Sequence, residues 1–355
     1  TNRFKKENYN MNLIQFELPK KGRRVGLINK NEVVDLTNIN TAWTHTYYLF
    51  LEANKNGKTI TAYLEGLSLG DADTISYNQL LASYSGDPNG WILPVLDHPS
   101  VGSCLISGTG LTHLGSMEQR AQMHTDVTEK TEEQKTDSQR IFEMGLQGGK
   151  PSLDSRGVQP EWFYKGNGAI LRGHNDFLDI PDFTDDGGEE PEIVGCYIID
   201  DDGIPCRIGF TIGNEWADHQ MEKVNYLWLA PSKMRNCAVG PELVTDEKFQ
   251  NIQGHCRIIR GDEEIYHSGQ LLTGENHMSH SLSNLEDHHF KYPQFRVPGD
   301  VHLHFFGTMK LSFPNRPSFQ SEDKIEINFG GMGASLINCV RQIPPSITPT
   351  MVKKG

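Results

Sequence analysis

Two glutamates stand two residues apart at the start of an apolar run, in the segment EEPEIV at 189–194. Successive residues of a strand point to opposite faces, so a strand here would place Glu190 and Glu192 on one face. Carboxylates this close repel each other and are costly to bury unless a cation neutralises them. Mg²⁺, Mn²⁺ and Ca²⁺ prefer carboxylate oxygens, so the pair predicts a divalent metal site. The alternative is an acidic, solvent-facing strand start, and Pro191 favours an edge strand or the first residues of a strand.

A third carboxylate, Glu215, follows a second β-like run in GFTIGNEWADHQ at 209–220. An acid at a strand end could complete a set of three oxygens around an ion and leave the other positions to water and substrate. Glu215 also suits the first turn of a helix, where the helix dipole favours an acid.

The elements that must position these acids are mainly β. From residue 160 onwards, Gly, Asp and Pro turns separate the apolar runs EWFYK, EIVGCYII, CRIGFTIG, CRIIRG, DVHLHFFG and KIEINF. Before them, residues 11–37 alternate like short strands with a hairpin turn at NKN, and helices are predicted over 41–66 and 76–84. We expect a mixed, mainly β fold, with a small N-terminal α+β domain over 1–95 and a catalytic domain over 96–355.

Composition and charge exclude several classes of partner. The net charge of −13 is unfavourable for binding nucleic acid or anionic membranes, and no apolar run approaches a membrane span. No apolar signal-peptide region opens the chain. The six cysteines form no CxxC pair, which favours free thiols in a reducing cytoplasm over zinc ligands or disulfides.

Three further patterns have simple interpretations. The histidines between 277 and 304 show no repeated metal-ligand spacing, so we expect them on a solvated, polar helix and strand surface. The run GGMGAS near 330 is predicted to be a β turn. The polar stretch 125–140 predicts a solvated surface helix or a mobile loop, or alternatively a lid over a site.

The segments GEEPEIV, GFTIGNEWADHQ and CAVGPELV occur in an order that resembles the fumarylacetoacetate hydrolase superfamily. RVPGDVHLHFFGT and DKIEINFGGMGASLINCV resemble its C-terminal strands, so the resemblance covers residues 95–342. CLISGTGLTHLGS, TDSQRIFEMGLQGG and PEWFYKG resemble a branch found in sugar-acid catabolism, similar to 2-keto-3-deoxy-arabinonate dehydratases. The resemblance implies a fumarylacetoacetate hydrolase-like catalytic domain and a homodimer.

For the metal site, the resemblance implies that Glu190, Glu192 and Glu215 bind Mg²⁺, or Mn²⁺ or Ca²⁺ in its place. Most relatives have Asp where this chain has Glu215. A lysine at the place of Lys165 is frequent in relatives, and buried lysines suit proton abstraction beside a metal-held keto acid. Lys233 is a second candidate, although relatives carry that lysine slightly earlier. The alternative for Lys165 is a surface lysine with a partly buried stem.

His113 is the third catalytic candidate, because hydrolytic relatives use a His and a Glu three residues later to activate water. The residue at that place is Ser116, and Glu118 lies five residues away, on a different helix face. This spacing favours a lyase over a hydrolase, and His113 without a catalytic role is the alternative. Arg172 and Thr308 are candidates for binding a substrate carboxylate or hydroxyl.

The expected function is therefore divalent-metal-dependent dehydration of a 2-keto-3-deoxy sugar acid, a pentonate or a hexonate. The alternatives are a hydrolase that cleaves a carbon–carbon bond in a 2,4-diketo acid or acylpyruvate, and a non-catalytic sugar-acid binding protein. We expect a small-molecule α-keto acid as the ligand, a cytoplasmic location and no nucleic-acid or membrane partner.

Overall fold

The computed structural model describes residues 11–69, 72–116, 135–152, 154–184, 186–245, 248–346 and 348–355. Residues 125–134 of the polar stretch 125–140 therefore lie outside the described residues. The end of that stretch enters a helix over Asp137–Gly148. The side chain of Thr136 accepts from Gln139 N while the Gln139 side chain accepts from Thr136 N, a reciprocal cap that starts this helix.

The described residues form nineteen strands. In chain order, β1 to β19 are Asn12–Leu18, Gly22–Asn29, Glu32–Asp35, Thr74–Ser76, Trp91–Leu93, Cys104–Gly110, Glu161–Asn167, Leu171–Arg172, Phe177–Ile180, Pro191–Ile199, Pro205–Asn214, Cys237–Val239, Leu243–Val244, Ile252–Arg260, Glu263–His267, Leu271–Thr273, Val301–Phe305, Lys324–Phe329 and Leu336–Gln342.

Seven α-helices lie between these strands in the same ranges of the chain. In order, α1 to α7 are Thr46–Lys55, Ile60–Leu64, Tyr77–Ala82, Asp137–Gly148, His219–Val224, Leu229–Lys233 and Leu282–Phe290. None of the helices in the described residues is long and apolar enough to cross a membrane. The prevalence of strands confirms the mainly β fold.

A thirteen-stranded sheet forms the larger layer, with the order β4-β3-β2-β1-β13-β11-β10-β17-β6-β7 along its main path. Every residue of β10 is buried, because β11 and β17 flank the strand and both faces are covered. Pro191 is the first residue of β10, so a proline is tolerated at the start of a central strand. A second, six-stranded sheet runs β15-β14-β18-β19-β9, with β16 beside β14.

The N-terminal strands continue the larger sheet. β1 pairs with β13 through Leu13 and Leu243, and β2 and β3 form the predicted hairpin, with Asn29 opposite Glu32. Thus one sheet contains strands from both sides of residue 95, and the domain division at that residue stays a prediction. The GGMGAS run forms the turn between β18 and β19, as predicted.

The histidines near the C-terminal strands are buried, so the prediction of a solvated surface is wrong for most of them. His289, His302 and His304 are each at most 1% exposed. His302 and His304 lie on β17, an interior strand between β10 and β6, and every residue of that strand is buried, so neither of its faces meets solvent. Trp162 Nε1 donates to His289 Nδ1 at 3.2 Å, and His289 Nε2 lies 3.0 Å from His302 Nδ1. Ser107 Oγ lies 2.8 Å from His304 Nδ1.

This burial predicts that acid destabilises the fold. Burial lowers the pKa of His302 to about 4 and the pKa of His304 to about 3, against 6.5 for a free imidazole. Between about pH 6.5 and 4 the unfolded chain therefore binds more protons than the folded chain. The free energy of unfolding should therefore decrease as the pH is lowered through this window, by up to about 1.4 kcal/mol per pH unit for each such histidine. Urea unfolding at pH 7, 6 and 5 measures this slope.

His304→Gln separates titration from packing. Lost packing lowers the free energy of unfolding equally at each pH, whereas lost titration reduces the slope between pH 6.5 and 4. We expect both effects in this variant. Equal slopes for the variant and the parent protein would contradict the prediction.

Candidate metal and active site

The ends of two adjacent central strands bring three carboxylates together. Pro191 on β10 pairs with Asn214 on β11, and Glu192 pairs with Gly213. Glu215 N donates to Glu190 O at 3.0 Å, which continues this pairing beyond the strand ends. Carboxylate oxygens of Glu190, Glu192 and Glu215 lie within 4.8 Å of one another, and all three residues are buried. The prediction that these three side chains share one site agrees with this geometry.

Both predicted lysines contact this carboxylate cluster, Glu190, Glu192 and Glu215. Lys165 on β7 donates from Nζ to Glu215 and, at 2.9 Å, to the backbone oxygen of Lys233. Lys233, the last residue of α6, donates to Glu190 Oε1 at 2.5 Å and to Glu215 Oε2 at 2.7 Å. Lys165 is fully buried and Lys233 is 4% exposed. The surface-lysine alternative for Lys165 does not describe this position.

The charges of the carboxylate cluster are incompletely balanced. Burial raises the pKa of Glu192 well above its usual value, and the charges of Glu190 and Glu215 add to that rise. Burial lowers the pKa of Lys233, but Glu190 and Glu215 outweigh it and hold that pKa well above its usual value. The depressed pKa expected for a base is therefore not found for Lys233 beside these carboxylates. Two ammonium groups face three carboxylates, so a further cation would relieve the repulsion on Glu192.

Two groups that the sequence analysis did not single out also contact the carboxylate cluster. His219 Nε2 donates to Glu190 Oε1 at 2.9 Å, and Gly307 N donates to Glu192 Oε2 at 2.7 Å. His219 starts α5, four residues after Glu215. A histidine this close in sequence to a predicted metal ligand could have indicated that it contacts the carboxylate cluster. The position of Gly307 follows from the pairing of β17 with β10, and no local pattern indicates it.

Glu161 is a third residue that the sequence analysis missed. Glu161, Phe163 and Lys165 alternate along β7, and these three are buried while Tyr164 between them is exposed. The Tyr226 hydroxyl donates to Glu161, and Lys233 Nζ lies 4.9 Å from the centroid of the Phe163 ring. Glu161 therefore shares a strand face with Lys165 and adds a carboxyl group to the same side of the sheet.

His113 is buried and both of its ring nitrogens have threonine partners. Nε2 lies 2.8 Å from Thr273 Oγ1, and Nδ1 lies 3.0 Å from Thr112 Oγ1. Burial lowers the pKa of His113 to about 3. Ser116 Oγ donates to the backbone oxygen of His113 at 2.7 Å and so does not activate the ring. A histidine in this state is a poor base at neutral pH.

The two predicted substrate-binding residues occupy different places. Thr308 is half-buried and directly follows Gly307, whose N–H binds Glu192, so it lies beside the carboxylate cluster. Arg172 on β8 instead lines a separate cavity, which none of the three cluster glutamates and neither lysine lines. The structure thus brings together all the predicted metal ligands and lysines, with Thr308 beside them, and places Arg172 elsewhere. Its role in substrate binding stays a prediction.

Searches with protein-family models and against curated proteins return no match for this chain. Among solved structures, the apo form of 2-keto-3-deoxy-D-arabinonate dehydratase matches with a TM-score of 0.67 and 19% identity, over 94% of this chain and 99% of that one. Its complex with magnesium and 2,5-dioxopentanoate matches with a TM-score of 0.66 and 20% identity, over 94% and 100%.

Maleylpyruvate hydrolase from Sphingobium sp. SYK-6, in complex with manganese(II) and pyruvate, matches with a TM-score of 0.56 and 13% identity, over 94% and 99%. Fumarylacetoacetate hydrolase from psychrophilic Exiguobacterium antarcticum has a TM-score of 0.58 at 15% identity, over 94% and 100%. The chain has the fumarylacetoacetate hydrolase fold. The resemblance stated from the sequence is confirmed at the level of fold, and the fold is shared by a dehydratase and by hydrolases.

The carboxylate cluster predicts a measurable metal site. Glu192→Gln removes one of the three carboxylates that would bind the ion. Because one charge-assisted contact is lost, Mn²⁺ affinity should fall by at least about tenfold. Equilibrium dialysis or Mn²⁺ paramagnetic resonance measures this change without any turnover assay.

Glu189→Gln is the matched control for this experiment. Glu189 is buried next to the carboxylate cluster, but its carboxylate accepts from Ser312 N at 2.7 Å and from Ser312 Oγ at 2.6 Å. This variant should keep the Mn²⁺ affinity of the parent. Unchanged affinity in Glu192→Gln, or equal losses in the two variants, would refute the assignment of the site.

Proposed function

We propose that this protein is a divalent-metal-dependent hydro-lyase that dehydrates a 2-keto-3-deoxy sugar acid, a pentonate or a hexonate. The observation that carries the proposal is the buried carboxylate cluster with Lys165 and Lys233 in direct contact. The likeness in fold to a dehydratase solved with magnesium and 2,5-dioxopentanoate supports the same substrate class.

The residues present fit a divalent ion. Glu190, Glu192 and Glu215 offer hard oxygen donors within 4.8 Å of one another, and two lysines leave one carboxylate charge uncompensated. Mg²⁺ is the proposed ion, with Mn²⁺ or Ca²⁺ as substitutes, because such ions prefer carboxylate oxygens. When bound, the ion would polarise the carbonyl of an α-keto acid and so acidify the protons on C3.

The chain's own residues supply the proton transfers. Dehydration breaks a C3–H bond and the C4–O bond, and the departing hydroxyl leaves as water after taking the proton that Lys165 has removed from C3, which returns the amine to its neutral form. Lys165 Nζ, which is fully buried and contacts Glu215, is proposed to take the C3 proton as the neutral amine, a form that the positive charge of a bound divalent ion nearby would favour. Lys233 is held between Glu190 and Glu215 as an ammonium group, a state suited to binding the substrate carboxylate. Thr308, beside Gly307, is proposed to bind a substrate hydroxyl.

The surroundings of His113 favour elimination over hydrolysis. Hydrolysis requires water activated next to the keto carbon, and hence a base that is free to take its proton. The His113 nitrogens face Thr112 and Thr273, and Ser116 binds the histidine backbone. The alternative, cleavage of a 2,4-diketo acid, would need a different base. His113 is therefore proposed to hold its surroundings in place and not to activate water.

The deciding assay offers both substrate classes to the purified protein loaded with Mg²⁺. We expect 2-keto-3-deoxy pentonates or hexonates to be dehydrated and acylpyruvates to be cleaved at least about a hundredfold more slowly, as expected when a general base is missing. Lys165→Met should lower kcat by at least about a hundredfold and keep Mn²⁺ binding. The exposed Lys20→Met is the matched control. Faster release of pyruvate from acylpyruvates would replace the lyase by the hydrolase.

The proposed assembly is a homodimer in the cytoplasm. All six cysteines are free, which supports a reducing compartment. The resemblance to the fumarylacetoacetate hydrolase superfamily implies pairing through the β-rich part of the chain, where edge strands need a cover. Sedimentation velocity at micromolar concentration should show a species of about twice 39.9 kDa. A stable monomer at that concentration would rule out the dimer.

A further inference from the structure

A cavity lined by charged and apolar residues lies away from the carboxylate cluster. It has a volume of about 450 Å³, which falls in the range of small-molecule sites. Three arginines from three different strands line it: Arg23 of β2, Arg172 of β8 and Arg341 of β19. Three guanidinium groups around one cavity need carboxylates or a ligand to offset their charge, in a chain whose net charge is −13.

Two of these arginines are paired with carboxylates. Arg23 Nη2 donates to both oxygens of Asp97, at 2.7 and 2.8 Å, and Gln15 also donates to Asp97 at 2.9 Å. Arg341 Nε donates to Asp179 Oδ1 at 2.7 Å. The charges of Arg23 and Arg341 are therefore largely satisfied within the protein.

Arg172 has no ion-pair partner among the described residues. Its Nη1 donates to the backbone oxygens of Leu171 at 2.9 Å and Ala169 at 3.3 Å. These bonds fix the guanidinium group without neutralising its charge. Asp176 lines the same cavity, and burial raises the pKa of Asp176 while the charge of Arg172 acts to lower it, but the Asp176 carboxylate accepts from Gly173 N at 2.7 Å and makes no ion pair with Arg172. A half-buried, immobilised guanidinium with unused N–H donors is a group that binds oxyanions.

We propose that this cavity binds a small oxyanion, the carboxylate or phosphate group of a sugar-sized molecule, with Arg172 as its principal ligand. The planar guanidinium fork matches two oxygens of either group. Phe177, Leu93 and Leu171 provide apolar wall for the remainder of the molecule. This site is independent of the proposed reaction and would exist even if the protein catalysed another one.

One strand, β12, lies between β8 of this cavity and β11, at whose end the carboxylate cluster stands. β8 lies beside β12, with Arg172 paired to Ala238, and Ala238 pairs with Asn214 at the end of β11. Glu215 follows directly. An anion could also bind at Lys165 or Lys233, so the experiment must distinguish the two places.

The test is isothermal titration calorimetry in Mg²⁺-free buffer of low ionic strength. Inorganic phosphate is one probe and citrate is the other, so the two arms separate phosphate from carboxylate recognition. We expect saturable binding of at least one probe, at one site per chain. Arg172→Gln should weaken this binding at least about tenfold and Arg172→Lys less, since lysine keeps the charge but loses the planar fork. The exposed Arg296→Gln and the cluster variant Lys165→Met should bind like the parent.

Three outcomes would overturn the proposal. The first is that neither probe binds the parent protein, and the second is that Arg172→Gln binds as tightly as the parent. The third is that Lys165→Met loses binding while Arg172→Gln keeps it. The last result would place the anion at the carboxylate cluster. Thermal melting of Arg172→Gln verifies folding, and Arg172→Lys provides the comparison if the glutamine variant is less stable.

Discussion

The structure depends on burying three carboxylates within 4.8 Å of one another at the ends of two central strands. Isolated buried charges cost several kcal/mol each, so the surrounding groups must offset that cost. Lys165 and Lys233 approach from β7 and α6, on opposite sides in sequence of the acids they contact. The strand pairing that joins Glu192 to Gly213 therefore requires that β7 and α6 pack beside it. The order of the strands in the sheet and the charge balance of the carboxylate cluster therefore depend on each other.

Close packing at this end of the sheet relies on residues without side chains. A Cβ on Gly213 would collide with Val194 and Phe305, and one on Gly188 would collide with the His219 ring. Gly188 also pairs with Ala217 as an isolated bridge, which extends the β10–β11 pairing past the acids. The glycines thus let the two strand ends close over the carboxylates and bring His219 against Glu190. Larger residues would separate the groups that share the charge.

Local periodicity predicts the carboxylate cluster only in part. Alternation along a strand places Glu190 and Glu192 on one face. The same alternation would have placed Glu161 on the face of Lys165, because Lys165 follows Glu161 by four residues on β7. It cannot predict which strands become neighbours. For this reason His302 and His304 on β17 were misassigned to the surface, since polar side chains on an interior strand look like those on an edge, and His289 on α7 was misassigned because the sequence does not show that this helix packs against that strand. The place of Arg172 could not be predicted either, because its chemistry indicates an anion but its position depends on the pairing of β8 with β12.

Charge balance links the carboxylate cluster to the ligand proposed for it. Before any ion binds, with all three glutamates ionised, both lysines as ammonium groups and His219 neutral, the buried carboxylate cluster carries one negative charge. A divalent cation alone changes this to one positive charge, and the carboxylate of an α-keto acid would then restore neutrality. Neither neutral sugars nor dianionic ligands meet that condition as well, because each leaves a net charge in a medium of low dielectric constant. The number of buried lysines therefore influences which ligand charge the site favours, since loss of one ammonium group would change the net charge that a ligand has to balance.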